Sequence, residues 1–150
     1  LEKLQKKKGL DYFQRIAMLW SICFGIASTV RGAYWVFNAD AAQHDSQLYD
    51  TMHDVLPLTF WGLPFAISGV LLIISGFLIP YFETNTNYYR FSFLGYIIAC
   101  PFYYIFSVAG FNNSLNIVTP VINFNFAVIS GAIAYVTFRK LKEAKKNRQN

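Results

Sequence analysis

Arg31 is the residue of this chain with the clearest chemical consequence. It lies inside an apolar stretch covering about residues 16–37, roughly one to two helical turns from the end of that stretch. A charge at such depth is costly unless it is paired, reaches the interface or meets an anion. Its guanidinium carries five donors in a planar fork that matches carboxylate and phosphate oxygens. Two roles follow from the sequence. Either the side chain rises toward Asp40 or another acid of the next segment, or it contacts an anion or lipid headgroup in an outward-facing cavity.

The segment from Asn38 to Leu56 holds the other groups able to do chemistry: His44-Asp45, His53-Asp54 and Asp50. Read as one continuous helix, nine residues turn by about 900°, which puts the two imidazoles on opposite faces. Asp50 and His53 can share a face, but two ligands seldom close a metal site. The expectation is a solvated acidic face with no metal, and a pH-sensing role for the histidines as the alternative. Arg31, Asp40, Asp50 and His53 are the candidate ligand or lipid contacts.

Catalysis is not expected. Ser21, Ser28, Ser68, Ser75 and Ser107 lie in apolar stretches that contain no His or Lys to activate them. The stretches hold no carboxylate at mid-depth for a proton relay. Cys23 and Cys100 are far apart in sequence and form no CxxC pair, so free packing thiols are expected. No histidine sits in a span at a depth suited to haem. The reading is therefore no enzyme, no cofactor and no metal.

The elements that must position these residues are four long apolar stretches, near 16–37, 57–82, 91–111 and 115–138. Each can cross a hydrocarbon core of about 30 Å, which takes roughly 20 helical residues. The composition agrees: 55% hydrophobic, 19% aromatic and 14% charged, against about 25% charged in soluble domains. A single membrane domain over residues 1–150 is expected, with 16–37 read as a retained first span rather than a cleaved leader.

Charge sorts by side. With four spans, every Lys and Arg except Arg31 falls on the side of the two chain ends and the 83–90 loop. The opposite connections carry Asp40, Asp45, Asp50 and Asp54 and no Lys or Arg. The positive-inside rule then gives an N-in, C-in arrangement in the cell membrane, with both termini cytoplasmic. The net charge of +5 is assigned to anionic lipid at the basic termini rather than to nucleic acid.

The predicted fold is an all-α integral membrane protein: four transmembrane helices in an up-down bundle, with a short amphipathic outer helix between the first two. Leu48, Met52 and Val55 give that outer helix its apolar stripe. Pro57 suits a first helical turn, while Pro64 and Pro101 should bend the spans they occupy. Small residues recur at helical spacing: Ser21, Gly25, Ser28 and Gly32; Gly62, Gly69 and Gly76; Gly95 and Ala99; Ala127 and Gly131. In lipid such residues let helices approach closely, and these stripes are expected to pack within the bundle, the alternative being that one of them, foremost that of the 57–82 span, faces another subunit. Asn123 and Asn125 are two apart and cannot both face one lumen.

On this reading the chain is a scaffold, accessory or self-assembling subunit, either a homo-oligomer or part of a larger membrane complex. The alternatives are a pore of the holin kind and a small carrier or lipid-binding protein. The outline is shared by many small bacterial or phage membrane proteins.

Overall fold

The computed structural model describes residues 10–81, 86–113 and 116–146. The basic lead before Leu10, Glu83 and its neighbours in the loop, Ser114 and Leu115, and the tail after Lys146 lie outside the described residues. Among the described residues the chain is helical, with no strand. The helices are α1 (Tyr12–Phe37), α2 (Ala39–Gln43), α3 (Gln47–Val55), α4 (Leu58–Leu78), α5 (Asn87–Asn113) and α6 (Val118–Lys146). α1, α4, α5 and α6 are long and apolar enough to cross a membrane, and they make this a membrane-embedded protein.

Local chemistry sets the ends. Asp11 precedes α1, and its N–H donates to Gln14 Oε1 at 3.0 Å, satisfying a donor that the first turn leaves unpaired. Ser46 caps α3, its Oγ accepting from the Tyr49 N–H. Pro57 stands one residue before α4 rather than in its first turn, and a 3-10 turn over Ile79–Tyr81 follows α4. α4 and α5 run as unbroken helices through Pro64 and Pro101.

The α1–α4 contact is built on glycine. A Cβ at Gly25 would lie 2.8 Å from Gly69 O, and one at Gly62 would lie 2.7 Å from Gly32 O. Gly76 meets the Ile22 side chain at 2.6 Å by the same measure. Rising numbers on α1 meet falling numbers on α4, so the pair is antiparallel and close enough for backbone to touch backbone. α4 packs on α5 where Gly95 receives Leu72, and α5 packs on α6 where Gly110 faces Pro120 and Gly131 faces the Cys100 Sγ. Ala99 and Ala127 are buried in the same core. Ser21 and Ser28 are buried on α1 but turn toward the bundle interior rather than toward α4.

The interior is aromatic. The Phe24 ring sits 5.4 Å from Tyr103, 5.9 Å from Tyr96 and 5.3 Å from Phe126, tying α1 to α5 and α6. Trp35 meets Phe65 and Phe106 edge-on, and also Tyr49 of α3. Offset and edge-to-face rings add about 0.5–1.5 kcal/mol per pair through their quadrupoles, a term that survives in lipid. Buried hydroxyls are tied locally: Ser68 to Phe65 O, Ser75 to Leu72 O and Thr137 to Ile133 O.

α2 and α3 cover one end of the bundle. Ala42, Leu48 and Met52 are buried, and the Trp61 Nε1 donates to Met52 O and Leu56 O at 3.1 Å. Two expectations need correction here. The segment is two short helices: α2 ends at Gln43 with His44 as its C-cap, and after the turn Ser46, extended, caps α3. Val55 does not join the apolar stripe; it is 69% exposed, since α3 ends there and the chain turns toward Pro57.

Candidate functional site

α1 presents three sides. Gly25, Thr29 and Gly32 meet α4, while Phe24, Ser28 and Trp35 point into the core. Arg31 follows the core-facing side seven residues after Phe24, toward α6. Its Nη1 donates to Asn123 Oδ1 at 2.8 Å. Its guanidinium carbon lies 5.7 Å from the Phe65 ring centre, 5.3 Å from that of Tyr103 and 5.1 Å from that of Phe106.

Each wall of this site is itself fixed. Asn123 Nδ2 donates to Thr119 O at 2.7 Å, so the amide can satisfy both partners only with its oxygen toward Arg31. Tyr103 OH shares a 2.8 Å hydrogen bond with Ser28 Oγ, which holds the ring across the diagonal of the bundle. The Ser107 hydroxyl donates to Pro120 O at 2.7 Å and ties α5 to the first turn of α6 beside Asn123. Phe65 and Phe106 are held by Trp35.

The electrostatics are lopsided. The ring faces attract a cation by about 0.5–2 kcal/mol each, and Asn123 adds one charge-assisted bond. None of these partners carries a negative charge. Among the described residues the ion pairs are His44–Asp50 and Lys140–Glu143, and no carboxylate is paired with Arg31. The guanidinium is half-buried, uncompensated, and has donors left after its bond to Asn123. This arrangement can accept an oxyanion, carboxylate or phosphate, on its remaining edge.

The expected reach toward Asp40 is corrected. Asp40 is exposed on α2, and Arg31 turns inward because Asn123 and the ring faces lie within its span. Two acids of the α2–α3 segment are engaged elsewhere: Asp45 accepts from Tyr34 OH at 2.6 Å, and Asp50 lies 4.0 Å from His44 Nδ1. That second pairing arises from the break before Ser46, which one continuous helix would not allow. His53 is half-buried in the last turn of α3. Arg31, Asp40, Asp50 and His53 therefore do not form one cluster, and no metal-sized group of His, Cys, Asp or Glu occurs among the described residues. Cys23 is exposed on α1, whereas Cys100 faces Gly131. Asn123 is buried and Asn125 exposed.

The sequence marked Asn123 as a polar group within a span but did not join it to Arg31, and it missed Tyr103, Phe65 and Phe106 as walls. A usable signal existed: Arg31 stands in the last two turns of α1 and Asn123 in the first two turns of α6. In an antiparallel bundle those turns share one level. Comparison with protein-family models, curated proteins and solved structures finds no match for this chain.

Proposed function

We propose that the chain is a non-enzymatic binding protein of the cell membrane, with both termini cytoplasmic, and that it holds an oxyanion at Arg31. The carrying observation is a half-buried guanidinium that hydrogen-bonds a neutral amide and has no carboxylate partner among the described residues. Arg15, Arg90, Arg139, Lys140 and Lys142 at one end of the bundle, and Asp40, Asp45, Asp50 and Asp54 at the other, support the orientation. The anion then arrives from the outer half.

A ligand that binds the folded state raises its stability by RT ln(1 + [L]/Kd). Inorganic phosphate or acetate is therefore expected to raise the thermal midpoint of the protein in mild detergent. Arg31→Gln should keep its helix content and its elution volume but lose that shift. A shift of equal size in Arg31→Gln would show that the anion binds elsewhere, and no shift in the unsubstituted protein would remove the reading.

The assembly reading drew on the small-residue stripes, and the glycines of α1 and α4 face each other within one chain. An accessory subunit remains compatible with anion binding, since a complex can form through other faces. The pore reading meets the rings of Phe24, Phe65, Tyr103 and Phe126, which fill the middle of the bundle. Liposomes carrying the protein are accordingly expected to retain an entrapped dye as well as empty ones. Release that scales with protein content would restore the pore.

A further inference from the structure

We infer that the side of the bundle between α1 and α6 is a lateral port through which a bilayer lipid with an anionic head reaches Arg31. The inference rests on the reading of Arg31 as an oxyanion site and adds the class of ligand and its route.

α1–α4, α4–α5 and α5–α6 pack closely along their lengths, whereas α1 and α6 are joined by side chains: Arg31 to Asn123, and Phe24 to Phe126. Phe24 and Arg31 are seven residues apart and share one side of α1. Trp20, Ala27 and Tyr34, also seven apart, flank them three or four residues away. All three are exposed, although they lie on the side of α1 nearest α6. Trp20 stacks on the buried Phe24 at 5.8 Å, and Ala27 and Tyr34 leave the half-buried Arg31 as the polar group on this open side, with Phe126 opposite. The remaining neighbour contacts of the bundle are closed by glycine or alanine, and this one opens to the membrane.

Charge selects the occupant. A neutral acyl chain alone would leave the guanidinium uncompensated, and a free anion would leave the apolar side to unspecific lipid. A head at Arg31 and a tail running to Trp20 would span roughly 16 Å of helix at 1.5 Å per residue. Arg31 lies about one to two turns inside the span, so a head bound there sits below the bilayer surface with its tail along α1 toward Trp20. Exposed Lys and Arg at the chain ends also attract anionic lipid, but at about 1 M salt their field is screened within about 3 Å.

The test uses the full chain purified in mild detergent, exposed to phosphatidylglycerol or phosphatidylcholine, washed at high salt and read by native mass spectrometry. The protein should retain phosphatidylglycerol over phosphatidylcholine. Arg31→Gln should lower that retention by about tenfold, the scale of one charge-assisted bond. Ala27→Trp should lower it similarly by covering the open side, with Ala27→Leu intermediate; Ala27 faces outward, so neither displaces protein. Inorganic phosphate should still raise the thermal midpoint of Ala27→Trp, because that variant keeps Arg31 and Asn123. Undiminished phosphatidylglycerol retention by Ala27→Trp overturns the port while leaving the oxyanion site intact. Equal retention of both lipids by the unsubstituted protein overturns recognition of the head. Absence of any phosphate shift overturns the oxyanion reading itself.

Discussion

Gly69→Leu separates α1 from α4. A Cβ at Gly69 would already lie 2.5 Å from both Gly25 O and the Thr29 backbone N, and against Thr29 Oγ1. Two of those atoms belong to the backbone of α1, which cannot rotate away as a side chain can. Leucine adds three further carbons to a space that does not admit the first. Overpacking that moves side chains costs about 1–3 kcal/mol; moving a whole helix costs at least the upper end of that range. In lipid no hydrophobic gain offsets the loss, since the exposed surface is as content against acyl chains as against another helix. The expected result is a collapse of the thermal midpoint in mild detergent, with early elution or aggregation, while helix content stays near native. Gly32→Ala should behave similarly though less severely, because its Cβ would lie 2.6 Å from Gly62 O. Gly131→Ala is the control: its Cβ meets the Cys100 Sγ at 3.3 Å, and a small shift of that side chain accommodates it. A Gly69→Leu protein that melts like the unsubstituted one would mean that α1 and α4 do not meet along this seam.

The glycine seam was legible because its code is local. A helix in lipid reveals its packing side through the spacing of small residues, and the spacing of Gly62, Gly69 and Gly76 can be read without knowing the neighbour. The spans were legible for a similar reason: length and apolarity suffice, and α1, α5 and α6 run a turn or more past one end of the expected stretches while α4 ends about one turn early. The surroundings of Arg31 were not legible. Which of Asp40, Asn123 or an external anion meets a buried arginine depends on helix rotation, and four apolar helices carry little amphipathic signal to set it. Phe65 and Phe106 look like any lipid-facing phenylalanine until α1 is rotated so that its arginine lies between them. Val55 failed for a different reason. A heptad-like stripe predicts burial only while the helix continues, and α3 stops at that residue.

Removing the one hydrogen-bond acceptor of the arginine should harm the fold more than removing the arginine. Asn123→Leu deletes the Oδ1 that accepts from Arg31 and leaves a half-buried cation with ring faces alone. Stranding a charged donor costs more than the 1–3 kcal/mol typical of a neutral one, so a loss of about 3 kcal/mol is expected. Arg31→Met removes the charge together with its need for a partner, fills similar volume and keeps contact with Phe65, Tyr103 and Phe106. Replacing buried charge by apolar bulk is often neutral or stabilising, so Arg31→Met should melt at or above the unsubstituted protein. The double variant should then recover most of what Asn123→Leu loses, giving a coupling of about 1–3 kcal/mol in a thermal or denaturant cycle. The same cycle separates two purposes for the arginine. If it served as a brace between α1 and α6, Arg31→Met would be as damaging as Asn123→Leu, and the two losses would not cancel. A protein that grows more stable when it loses Arg31, yet no longer responds to phosphate, carries that charge for a ligand at some expense to its fold.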